Sequence, residues 1–302
     1  MGQRSLVLFT LLTQAACGAL VGLAGLQLLG AADVLGPLAF VVIGLLILAA
    51  LTISTLHLGA PQHAAYAITN WRSSWLSREI LALGLSGGLV AIGALVALLG
   101  DPRGSEAART VIALLAAATG IVVVATMVQL YSVRTVPEWR RPLTAAGFAG
   151  TTLRLGSVTA AMLAAIEILP HGSIDVAAAL WLILMLGSGI GLWLAAAGGG
   201  PGRGRADRRA GALLVRGQVP ATGGRGSRSF RSTAWGAVVA AVGSAILVTG
   251  PALLATAILA PALAMLAIGE LDARERFYRA APRQGRDVMR PPAAARSSAV
   301  GD

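Results

Sequence analysis

The chain has 302 residues, of which 56% are hydrophobic and 12% charged, and its net charge is +11. A soluble domain of this size carries about 25% charged residues, so a mean hydropathy of +0.76 at half that charge excludes one and points to an integral membrane protein. The basic side chains are all arginine, and the lone Cys17 excludes a disulfide framework, or a cysteine-ligated zinc or iron–sulfur site, built from this chain.

Taken in order, the apolar runs fall at 5–29, 36–56, 79–99, 110–133, 143–169, 174–196, 233–249 and 251–269. Each reaches roughly 17–25 residues, the thickness of the hydrocarbon layer, which predicts an all-α membrane protein, a bundle of about eight transmembrane helices. The first run is too long for a signal-peptide core and lacks a clear small-residue cleavage site, so it reads as a span. Gly250-Pro251 must turn the chain between the last two runs; without that turn the count is seven. The expected organisation is an anchor domain over 1–270, interrupted by a Gly/Arg-rich loop at 198–231, and a charged, partly disordered tail at 271–302.

Loops after the even-numbered runs share one side with both termini, and that side holds the arginine excess. The positive-inside rule places it in the cytoplasm of a multi-pass inner (cytoplasmic) membrane protein. The Gly/Arg-rich loop reads as an anchor to anionic lipid or as a dock for an acidic partner. Nucleic acid is not expected there, because no aromatic interleaves the arginines apart from Phe230.

Polar side chains are scarce, so those near the spans indicate chemistry. His57 closes the second run, with Gly59 and Pro61 behind it, and Glu79 opens the third. Together they form a proton-accepting pair of the kind that quinol oxidation needs, since that reaction releases two electrons and two protons. Taken alone, Glu79 is also a good helix N-terminal residue. Residues 64–76 read as a short interfacial helix holding Trp71 and Trp75, either plain headgroup anchors or the lining of a quinone entrance. Gln129 and Tyr131, one turn inside the fourth run, either support structure or hydrogen-bond a quinone carbonyl. Arg154 lies roughly twelve residues into its run, so about 18 Å deep. An arginine at that depth needs an acceptor, with Gln129, Glu79 and a backbone carbonyl as candidates. Glu270, Arg274, Phe277 and Tyr278 share one helical face, and Glu270–Arg274 reads as an i,i+4 pair or as part of the quinol site. The three histidines, His57, His63 and His171, do not offer two membrane-embedded ligands at matched depth, so haem is not expected. The sequence has no P-loop, dinucleotide fingerprint or HExxH.

Six blocks in order, FTLLTQAACG (9–18), TLHLGAP (55–61), SWLSREI (74–80), LYSVRTVPEW (130–139), AGFAGT (146–151) and IGELDARERFY (268–278), resemble the anchor subunits of dimethyl sulfoxide reductase-type molybdoenzymes, the DmsC family. The resemblance implies an eight-helix anchor free of haem and metal. Its substrate would be menaquinol, oxidised to menaquinone in the lipid membrane. Its partners would be a four-cluster iron–sulfur subunit and a molybdopterin catalytic subunit, and it would supply only the quinol half-reaction. His57 falls on the family's quinol-linked histidine, and Glu79 on its glutamate in the LS-x-E-I block. The best-known members put the histidine side outside the cytoplasm, opposite to the charge count here. The molybdenum subunit, not this chain, would choose among dimethyl sulfoxide, polysulfide, nitrate and other acceptors. Two other functions fit an eight-helix bundle: a secondary transporter of a small anion using the buried arginine, and a tether without quinol chemistry.

Overall fold

The computed structural model describes residues 2–31, 33–57, 70–101, 104–132, 141–168, 174–198 and 225–279. Every regular element among them is a helix: α1 (Gly2–Leu28), α2 (Pro37–His57), α3 (Trp75–Leu99), α4 (Glu106–Tyr131), α5 (Arg141–Ile168), α6 (Val176–Gly198), α7 (Arg225–Thr249) and α8 (Ala252–Arg279). All eight are long and apolar enough to cross a membrane. A helix is the form that satisfies its own backbone in lipid, which is why unbroken apolar runs become helices here.

Several boundaries differ from the sequence expectation. α3 starts at Trp75 rather than 79, because Ser74 caps it, accepting a hydrogen bond from the Ser77 amide at 3.3 Å. Glu79 is therefore one turn inside the helix. Residues 70–73 form a turn closed on the Asn70 carbonyl, not a helix, and the rest of the expected interfacial helix, 64–69, lies outside the described residues. α7 begins at Arg225, so the end of the Gly/Arg-rich segment is already helical, and α8 runs on to Arg279 past the apolar stretch. The turn at Gly250-Pro251 forms as the eight-span reading requires, with the Gly250 amide bonded to the Ile246 carbonyl at 2.7 Å.

The two most enclosed helices are α1 and α5. They cross backbone to backbone: a Cβ on Gly156 would stand 2.3 Å from the Gly18 Cα, and one on Gly18 would stand 2.1 Å from the Thr152 carbonyl oxygen. Lipid supplies no hydrophobic drive between helices, so such close approach of small residues gains its stability from dispersion. Around this pair stand the α3–α4, α5–α6 and α7–α8 neighbours, with α2 against α1 and α3. Outer faces carry exposed leucines, such as Leu85, Leu95 and Leu98 on α3.

Eight alternating spans put the starts of α1, α3, α5 and α7 and the ends of α2, α4, α6 and α8 at one rim. At the opposite rim a second carboxylate serves the fold. Glu167 Oε1 accepts the Ala39 amide at 2.7 Å, capping the N-terminus of α2 from the end of α5. Nearby, Arg109 donates to the Leu35 carbonyl at 3.1 Å.

Candidate functional site

The helical period of α8 turns Glu270, Arg274 and Tyr278 inward, where they are 2%, 5% and 3% exposed. Arg154, with no exposure at all, forms an ion pair with Glu270 Oε1 through Nη2. Its Nη1 donates to the Gly189 carbonyl at 2.8 Å, and its guanidinium lies 5.3 Å from the Trp193 ring centroid. Gly189 is glycine for a steric reason, since a Cβ there would stand 2.8 Å from the Arg154 Cγ. The Thr151 hydroxyl donates to Glu270 Oε2 at 2.8 Å. Arg274 donates to Gln14 Oε1 at 2.7 Å and to the Thr151 hydroxyl at 3.2 Å, with its guanidinium 4.0 Å from the Phe148 centroid. Gln14 in turn donates to the Phe148 carbonyl at 3.3 Å. One network thus joins α1, α5, α6 and α8, and it answers the cost of two arginines inside the membrane.

Two expectations are corrected here. Of the acceptors expected for Arg154, a backbone carbonyl is the one it finds, that of Gly189, and its ion-pair partner is Glu270 rather than Gln129 or Glu79; helical spacing gave its depth but not which neighbour would stand opposite. Glu270 and Arg274 do not pair along α8. Each turns to another helix, because a cross-helix acceptor satisfies more donors than an i,i+4 contact does. Gln129 is half-buried and makes none of these contacts.

Next to the network is an aromatic wall. Tyr131, the last residue of α4, stacks on Phe148 with ring centroids 5.5 Å apart and meets Tyr278 edge-on at 5.4 Å. Phe277 packs edge-on to both Phe148 and Tyr278. Thr10 of α1, which the block FTLLTQAACG supplies, is fully buried and donates to the Val7 carbonyl at 3.0 Å.

Some buried polar atoms lack a hydrogen bond among the described residues, the Thr13 and Thr144 hydroxyls for example, and Glu79 is the carboxylate among them. It is 1% exposed, and neither carboxylate oxygen has a hydrogen-bond partner among the described residues. At that exposure it faces the interior of the bundle rather than lipid. A buried carboxylate with no donor is costly, and such a group is usually kept for chemistry or for a ligand.

Outside it, Arg78 donates to the Trp71 carbonyl at 2.8 Å and to the Arg72 carbonyl at 2.6 Å, and stacks over Trp75 at 4.3 Å. Trp71 and Trp75 remain 51% and 40% exposed, a rigid aromatic edge at the rim. His57 ends α2 at this same rim, but its side chain lies outside the described residues, as do His63, His171, Pro61, Pro137 and Trp139.

Sequence reasoning missed Thr10, Gln14, Phe148 and Thr151 as members of this cluster. All four lie inside the blocks FTLLTQAACG and AGFAGT, and block membership was the clue that could have found them.

Eight membrane-crossing helices closed around a polar cluster that runs from one rim to mid-bundle define a multi-pass helical membrane subunit. The family model described as DMSO reductase anchor subunit (DmsC) matches residues 1–198, and the chain belongs to that family. It is therefore a membrane anchor of a dimethyl sulfoxide reductase-type complex, working with a catalytic and an iron–sulfur subunit. The match ends with α6, so α7 and α8, which bring Glu270, Arg274 and Tyr278, lie beyond it. No curated protein and no solved structure matches the chain.

Proposed function

We propose that this anchor oxidises menaquinol at the rim where Glu79 lies and passes the two electrons to a four-cluster iron–sulfur subunit, which feeds the molybdopterin subunit. Glu79 accepts one proton and His57 the other. The Arg154–Glu270–Arg274 network holds the inner wall, and Gln129 and Tyr131 flank it. Menaquinol is a lipid-soluble substrate, and the complex sits in the cytoplasmic membrane.

The observation that supports this best is the Glu79 carboxylate, enclosed and without a donor among the described residues. A general base is expected to sit partnerless until its substrate arrives, with a hydroxyl completing its hydrogen bonds. A tether would have no use for such a group and would lose stability by keeping it.

Glu79→Gln in the assembled complex tests the reading. Oxidation of a menaquinol analogue should fall by about 100-fold, the low end of what a general base contributes. Membrane attachment and acceptor reduction by an artificial electron donor to the catalytic subunit should stay as in the native complex. Native-rate quinol oxidation by Glu79→Gln would leave only the tether.

A further inference from the structure

Threonine in a membrane helix ordinarily donates to a carbonyl three or four residues back on its own helix, which satisfies the hydroxyl without a second helix. Thr10, Thr119, Thr126, Thr152 and Thr159 all do so. Thr13 on α1 does not. It is fully buried, and its hydroxyl oxygen has no hydrogen bond among the described residues. The Glu79 carboxylate is in the same condition.

Two close contacts fix where these groups lie. The Ser86 hydroxyl of α3 donates to the Ala116 carbonyl of α4 at 3.4 Å. Cys17 of α1 packs against Gly120 of α4, where an added Cβ would stand 3.2 Å from the Cys17 Cβ. Glu79 lies about two turns from Ser86 toward the rim of both termini, and Thr13 about one turn from Cys17, so each shares the α4-facing side of its helix. α4 runs antiparallel to both helices. Two turns on from Ala116 is Val123, and one turn on from Gly120 is Val124, so Glu79 and Thr13 stand at one depth. α2 and α4 each touch both α1 and α3, so the four helices close a bundle with α1 and α3 on a diagonal. The two groups face the middle of that bundle from opposite corners. On α2, Ile47 packs against Gly87 of α3, which brings the end of α2, His57, to within about two residues of the same depth. Gln14, the next residue on α1, turns the other way, to Phe148 and Arg274.

We propose that the Thr13 hydroxyl is a contact for the menaquinol head group, donating to the quinol oxygen whose proton Glu79 takes. The proposal rests on the quinol-oxidising reading above and adds a second group at the reacting oxygen.

The chemistry calls for such a donor. As the quinol O–H bond breaks, its proton joins the Glu79 carboxylate, and the electron pair stays on oxygen until the electrons leave to the iron–sulfur subunit. A hydrogen bond aimed at that oxygen stabilises the charge while it lasts. An ionised carboxylate only accepts, so Glu79 cannot supply it, whereas a threonine hydroxyl donates. One phenolic hydroxyl completes both groups, giving its hydrogen bond to Glu79 and accepting that of Thr13. Thr13 itself is unchanged by the step.

The test uses Thr13→Val, which keeps the shape and removes the hydroxyl, and Thr13→Ser, which keeps the hydroxyl and removes a methyl, in the assembled complex with a water-soluble menaquinol analogue. Thr13→Val should lower kcat/KM by about tenfold, and Thr13→Ser should stay within about twofold of native. Competitive inhibition by the oxidised analogue, whose carbonyl accepts but has no proton to give, should weaken about fivefold in Thr13→Val. If Thr13→Val does not assemble, Thr13→Ala removes the same hydroxyl with less bulk and carries the same expectation. A native rate in Thr13→Val, with Glu79→Gln slow, would overturn the contact and leave the quinol site standing. Thr13→Ser as slow as Thr13→Val would assign Thr13 to packing and overturn it too. Slow turnover with native inhibition by the oxidised analogue would make Thr13 a support for Glu79 rather than a substrate contact. A native rate in Glu79→Gln would instead remove the base, and this contact with it.

Discussion

Arg154 has no exposed surface, yet its charge is met by Glu270 from α8 and by the Gly189 carbonyl from α6. Breaking a buried pair strands one charge, which costs about 3–5 kcal/mol, whereas replacing both partners with apolar residues of similar size is often neutral. Arg154→Met alone should therefore lower thermal stability in detergent sharply, and Arg154→Met with Glu270→Leu should recover most of the loss. Equal damage from the single and the double variant would show that the pair contributes little to holding α5 and α8 together. The residues of this network were partly legible in the sequence. A lone arginine deep in an apolar run announces that it has an acceptor, and the spacing of Glu270, Arg274 and Tyr278 announces one face. Which helix would supply that acceptor was not legible, because helical period fixes direction around an axis and says nothing of the neighbour across it. Glu79 could be named for the same reason as Arg154, but that it would stay unpaired is a property of packing alone.

At the scale of the helices, glycine divides into two kinds. Gly18 and Gly156 stand where α1 and α5 touch, and any side chain at Gly156 must push backbone apart. Gly84 and Gly88 on α3 would meet nothing within 4 Å. Gly156→Leu should prevent accumulation of a folded, membrane-inserted chain. Gly84→Ala should be neutral or raise stability by up to about 1 kcal/mol, the helix-propensity difference. Comparing expression and melting temperature of the two variants checks this, and a well-folded Gly156→Leu protein would contradict the α1–α5 crossing. Run length made the eight helices legible, since membrane thickness sets a length that composition displays directly. α3 and α7 start before the apolar runs 79–99 and 233–249 because Arg78, Arg228 and Arg231 look like loop residues on a hydropathy scale. A hydropathy scale does not weigh the Ser74 cap or the way arginine stems reach the rim from inside a helix.

Across the whole molecule the polar groups are sorted by rim. The opposite rim spends Glu167 and Arg109 on capping α2 and bonding the connection before it, each with a partner in the fold. At the rim of both termini, Glu79 is left without one among the described residues, one turn into the helix that the exposed Trp75 begins. Residues from five of the six resemblance blocks meet in or beside this one cluster, although they lie far apart along the chain. That convergence is why the proposal is about place: menaquinol would give up its hydrogens at this rim rather than at the opposite one. A photoreactive menaquinone analogue, crosslinked to the assembled complex in native membranes and mapped by mass spectrometry, tests that most directly. The expected adducts lie in the segment around Trp71, Trp75 and Glu79 or beside Tyr131, and excess menaquinone suppresses them. Specific, competable labelling confined to the rim of Glu167 and Arg109 would contradict the claim.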